Sequence, residues 1–143
     1  MKFAKFVFRG AAVWGVVILT PLYFLSDAIG RQHASPITYP QFYYGFVGVA
    51  IAWQFAFFVI GSDPARFRWM MIPSIAEKLI YGLTMGVLYG EGRIAMADVM
   101  PVFPDLVLAA LFAIAFAKTS TSAVLEDGAL RELNYALPAR QRQ

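Results

Sequence analysis

The sequence predicts an all-α polytopic membrane protein: an up-down bundle of four transmembrane helices, both termini cytoplasmic, with a short amphipathic helix in the C-terminal tail. Three observations carry that prediction. Hydrophobic residues make up 59% of the 143 residues and charged ones only 15%, a balance too apolar for an ordinary soluble domain. The apolar residues gather in four blocks of about twenty, and a helix of that length, rising ~1.5 Å per residue, crosses a hydrocarbon core ~30 Å thick. Small residues recur at four-residue spacing in every block, which lets helices approach one another where lipid supplies no hydrophobic drive.

The first block, Phe6 to Leu25, carries one charge, Arg9, near enough to its start to snorkel to the surface. Lys2 and Lys5 ahead of it and Ser26-Asp27-Ala28 behind it also fit a secretory leader with its cleavage site; we read the block as a retained first helix. The second, Phe42 to Ile60, has no charge, and Gln54 is its one strongly polar side chain. The third, Met70 to Tyr89, contains Glu77 and Lys78 and admits two readings. Either it spans throughout, or Pro73 breaks it and residues 67–78 lie along the interface, leaving a remnant too short to cross without thinning the bilayer. The fourth, Val99 to Ala117, opens with Pro101 and Pro104. Proline is tolerated in a first helical turn, so Pro104 marks the expected start, and Asp105 beside it suits the helix N-terminal dipole as a cap.

Residues 1–118 thus form the transmembrane domain and 119–143 a cytoplasmic tail. In the tail Leu130, Leu133 and Leu137 share one face of a short helix opened by Asp127 and stopped by Pro138. Orientation follows from the basic residues. Lys2, Lys5 and Arg9, then Arg66 and Arg68, then Lys118, Arg131, Arg140 and Arg142 fall on one side, against Arg31 and Arg93 on the other. That asymmetry accounts for the net charge of +3 and the pI near 9.3 without nucleic acid as a partner. A prokaryotic inner membrane is the expected location.

The small-residue ridges expected to pack the bundle include Gly48 and Ala52, Gly82 and Gly86, and Ala109 and Ala113, either inside the bundle or against another protein. Tyr39, Phe42, Tyr43 and Tyr44 form an interfacial aromatic group, and His33, in the loop before them, reads as polar surface. Arg66, Arg68 and Trp69 are expected at the cytoplasmic headgroups, in contact with membrane lipids.

The polar groups at membrane depth are the most informative, because a charge there costs several kcal/mol unless paired or hydrated. Counting from the cytoplasmic ends brings Arg9, Gln54 and Glu77 to similar depth. An Arg9–Glu77 bridge supported by Gln54 is therefore expected, with Tyr81 on the same face as Glu77. Lys78, pointing ~100° away from Glu77, is expected to reach for the headgroups. The cluster either fixes helix register or serves as a binding or proton site.

The absence of cysteine rules out thiolate metal sites, Fe–S clusters and disulfides, and one histidine cannot build a multi-histidine metal site. Phosphate loops, HExxH and GxSxG are missing, so no cofactor, metal or catalytic residue is evident and an enzyme is not expected. Two functions from different classes fit. The first is an accessory or assembly subunit of a larger membrane complex, associating with other membrane subunits or with itself. The second is a small module that binds or transports a hydrophobic ligand (a lipid, quinone or pigment) in a pocket near Gln54 and Glu77, walled by Trp53 and Tyr81.

Overall fold

The computed structural model describes residues 2–25 and 39–119, together with positions 125, 128–130 and 132–133 of the tail. Among these residues there is no strand, and four helices are long and apolar enough to cross a membrane. Helix α1 (Lys2–Leu19) stops at Thr20 and Pro21, where proline has no N–H to continue the ladder, and one further helical turn follows over 22–25. Helix α2 (Pro40–Ser62) begins on a proline, whose fixed φ and missing N–H suit the first helical position. It ends in an Asp-Pro turn, where the Arg66 backbone N–H donates to the Asp63 carboxylate at 3.3 Å.

A 3-10 turn, Arg68–Met70, leads into α3 (Met71–Gly90). Pro73 falls in the first turn of α3, where its missing N–H breaks no bond, so the chain takes one unbroken helix rather than dividing at Pro73. Helix α3 ends in a Schellman motif. The Arg93 N–H donates to the Leu88 carbonyl and the Gly92 N–H to that of Tyr89, both at 2.9 Å, and Gly92 takes the left-handed φ of +68° that the motif requires. A single turn, α4 (Met96–Val99), precedes α5 (Val102–Lys118), which starts two residues ahead of Pro104 because that proline too sits harmlessly in a first turn. The loop with His33 and most of the expected tail helix, Leu137 included, lie outside the described residues; Leu130 and Leu133 are exposed.

Helix α1 packs along α2 and α3 along α5, and α1 also contacts α5, whereas α2 and α3 barely meet. The centre is a trio of wholly buried rings, one from each of α1, α2 and α5. Phe8 stacks on Phe112 at 4.2 Å between centroids, and Phe57 meets Phe112 edge-on at 4.9 Å. Ala4, Ala11, Ala12 and Ala115 fill the space around them with minimal volume, so the backbones come close. Only 22–33% of each candidate span is buried within the chain, and the rest is largely aliphatic and aromatic, an outward surface suited to lipid rather than water.

The small-residue series divide. Gly48 lies under the Tyr23 hydroxyl, Gly82 against Leu106 and Val102 of α5, and Ala109 is buried, while Ala52, Gly86 and Ala113 face outward. A four-residue step advances ~40° beyond a full turn, so each series drifts off the contact face. A close approach to backbone falls at a glycine outside those ridges: a Cβ on Gly61 would lie 2.8 Å from Arg9 Cγ and 3.0 Å from the Arg9 backbone nitrogen.

Candidate functional site

The bundle closes on three sides, α2 to α1 to α5 to α3, and the weak contact of α2 with α3 leaves the fourth side open. A groove of about 710 Å³ runs along that edge. From α2 it is lined by Phe46, Val49, Ala50 and Trp53, residues at i, i+3, i+4 and i+7 of one helical face. From α3 come Pro73, Ala76, Glu77, Ile80, Tyr81, Thr84 and Met85, the corresponding face of the facing helix. Phe46 and Tyr81 stack across the groove with centroids 5.9 Å apart. The Thr84 hydroxyl is turned back onto the Ile80 carbonyl at 2.8 Å, a local bond that satisfies it within its own helix. The lining is otherwise apolar, with Glu77 its one charged side chain.

Behind Glu77 lies an ionic cluster that joins α3 to α5. Lys78 is buried, at 6% exposure, and its ammonium sits 2.9 Å from Asp105 Oδ1 and 3.3 Å from Glu77 Oε2 and donates a long hydrogen bond of 3.5 Å to Glu77 Oε1. It also lies 5.6 Å from the centre of the Phe57 ring. Glu77 Oε2 is buried and has no hydrogen-bond donor, so its approach to the ammonium is electrostatic contact without bonding geometry. One ammonium is thus shared by two carboxylates, with the closer contact going to Asp105.

This arrangement differs from the expected Arg9–Gln54–Glu77 cluster. Arg9 Nε donates instead to the Gly61 carbonyl at 3.1 Å, tying α1 to the end of α2, and it makes no ion pair with Glu77. Gln54 is buried against α1: its amide nitrogen donates to the Ala50 carbonyl at 2.9 Å, and its side chain fills the space over Gly15. Lys78 turns inward to both carboxylates rather than outward to the headgroups. The angle between neighbouring residues constrains the Cβ directions, but a lysine stem of four methylenes can bend back to reach a neighbouring carboxylate. Asp105 does fall in the first turn of α5, yet makes no capping hydrogen bond and pairs with Lys78.

Trp53, Glu77 and Tyr81 do come together in the groove. Phe46 joins them without a sequence signal, since an aromatic residue in a helix apolar on nearly every face does not reveal the face it occupies. At the opposite end Arg68 acts as a staple. Its Nε donates to the Thr119 backbone carbonyl, and its guanidinium lies over the Phe116 ring at 3.8 Å and beside Trp69 at 5.3 Å. Arg66 and Trp69 are exposed, Arg66 lying 5.5 Å from the Phe67 ring. Among the described residues no three His, Cys, Asp or Glu side chains are placed to hold a metal ion.

In fold and site the chain is therefore a small apolar helical bundle with a lateral groove and an ionic cluster behind it. Compared with models of protein families, with characterised proteins and with solved structures, it matches none.

Proposed function

We propose that this chain is a non-enzymatic module, embedded in a prokaryotic inner membrane with both termini cytoplasmic, that binds a hydrophobic small molecule in the groove between α2 and α3. The observation that carries this reading is the groove itself. Its ~710 Å³ lies within the ~300–1,000 Å³ of small-molecule sites, and it combines largely apolar walls with one charged group and a few polar ones, which is the usual composition of such sites. Because the groove opens sideways, a ligand dissolved in the bilayer reaches it without crossing water.

Native mass spectrometry of the protein extracted gently from its own membrane tests this. One defined small molecule should travel with the chain. Ala76→Phe, which fills the groove from a position outside the aromatic core, should abolish the adduct while lowering the melting temperature little. Retention of the adduct in that variant would move the site elsewhere. Stoichiometric foreign subunits with no small molecule would instead establish the accessory role that the sequence also fits.

A further inference from the structure

The groove has a chemical preference that follows from charge. Glu77 and Asp105 share a single ammonium, and Lys78 is nearer to Asp105, at 2.9 Å, than to either oxygen of Glu77. The remaining titratable side chain on the groove is Tyr81, and the nearest arginine of α1, Arg9, is bonded to the Gly61 carbonyl. No lysine, arginine or histidine lines the groove. With both carboxylates ionised, the cluster carries one more negative than positive charge at the edge of an apolar cavity, where an opposite charge is attracted more strongly than in water.

A second observation points the same way. Three aromatic residues line the same groove as Glu77: Trp53 from one helix, and the stacked pair of Phe46 and Tyr81 spanning both. Ring faces carry negative quadrupole potential, and several rings beside one carboxylate form the environment in which organic ammonium groups bind best.

Building on the ligand-binding reading above, we propose that the groove selects a single-chain lipophilic cation, an ammonium head on an apolar tail, with the head held by Glu77 among Phe46, Trp53 and Tyr81. A phospholipid head fits less well on two grounds. Glu77 lies ~9 Å along the axis from the first residue of α3, deep for a headgroup. A phosphate beside the amine would also face a carboxylate that already lacks a full partner.

Trp53 supplies the test, because the other two tryptophans, Trp14 and Trp69, are exposed and lie outside the groove. The full chain carrying Trp14→Phe and Trp69→Phe is placed in phosphatidylglycerol nanodiscs. It is titrated with three amphiphiles of equal chain length brominated beside the head: an alkyltrimethylammonium, a carboxylate and an alcohol. A second protein retaining only Trp14 corrects for partitioning. The ammonium probe should quench Trp53 at concentrations about tenfold below the other two, and Glu77→Gln should remove most of that difference.

Equal quenching by all three heads, or preference for the carboxylate or alcohol, would overturn the selection of cations while leaving a binding groove. Unchanged ammonium preference in Glu77→Gln would overturn the role of Glu77. Loss of the quench in phosphatidylcholine discs would assign the groove to a lipid head and overturn the single-chain occupant. Quenching of Trp53 no greater than that of Trp14 for every probe would instead remove the ligand-binding reading itself. If Glu77→Gln does not fold, the order of the three heads on the unsubstituted groove still decides the matter.

Discussion

Lys78 is the residue on which the interior depends most. It is nearly buried between two carboxylates of different helices, so it neutralises charge and links α3 to α5 at the same time. Removing one partner from a buried ionic group costs more than the pair itself contributes, because the remaining charge is left unsolvated. Lys78→Met should therefore destabilise the bundle by about 3 kcal/mol, the lower end of the range for buried pairs, since both carboxylates keep some exposure. Adding Asp105→Asn should restore part of that loss by removing one of the two stranded charges. Thermal unfolding in detergent reads both effects, and a double variant no more stable than Lys78→Met alone would show that the ammonium does not act through Asp105. Glu77 and Lys78 stood out in the sequence because charge inside an apolar block is rare. Their partners did not, since Asp105 looked like an ordinary first-turn acid, and choosing between Arg9 and Lys78 depends on where long side chains end rather than where they start.

At the scale of elements, the contacts that set the helix crossings differ in how much they can yield. A Cβ on Gly61 would press on the Arg9 backbone, which cannot move without moving α1, whereas a Cβ on Gly86 meets nothing within 4 Å. Gly61→Ala should cost about 1–3 kcal/mol by overpacking, and Gly86→Ala should be neutral or slightly stabilising through better helix propensity. Unfolding midpoints in the same detergent compare them directly, and equal effects would mean that the α1–α2 crossing is not set at Gly61. The elements themselves are legible because a bilayer demands long apolar runs, but their ends are less so: α1 stops short of Pro21, inside the apolar block Phe6 to Leu25, and α2 starts at Pro40, ahead of the block that begins at Phe42. The pairing of faces is not legible. A soluble helix shows its buried side by contrast with a polar one, but here Phe8, Phe57 and Phe112 are buried while Phe6, Phe55 and Phe58 lie outward, with nothing in their neighbours to tell them apart.

The whole molecule has a sidedness that its interior alone does not determine. Lys2, Lys5, Arg66, Arg68 and Lys118 gather at one end of the bundle and Arg93 at the other, an asymmetry from which the positive-inside rule predicts a cytoplasmic position for the richer end. The chain has no cysteine, so single cysteines can report this on an otherwise silent background. In intact cells a membrane-impermeant maleimide should label Arg93→Cys at once, and should label Lys5→Cys and Arg66→Cys only after permeabilisation. The three positions also check one another. If α1 and α2 both cross, Lys5 and Arg66 must share a side whatever the orientation, so labelling of one alone in intact cells would mean that α1 or α2 does not span. Labelling of both, with Arg93→Cys protected, would keep the first three spans but invert them. The outcome bears on the groove as well: Glu77 lies ~9 Å from the first residue of α3 but ~20 Å from its last, so the orientation decides which leaflet a bound head group would occupy.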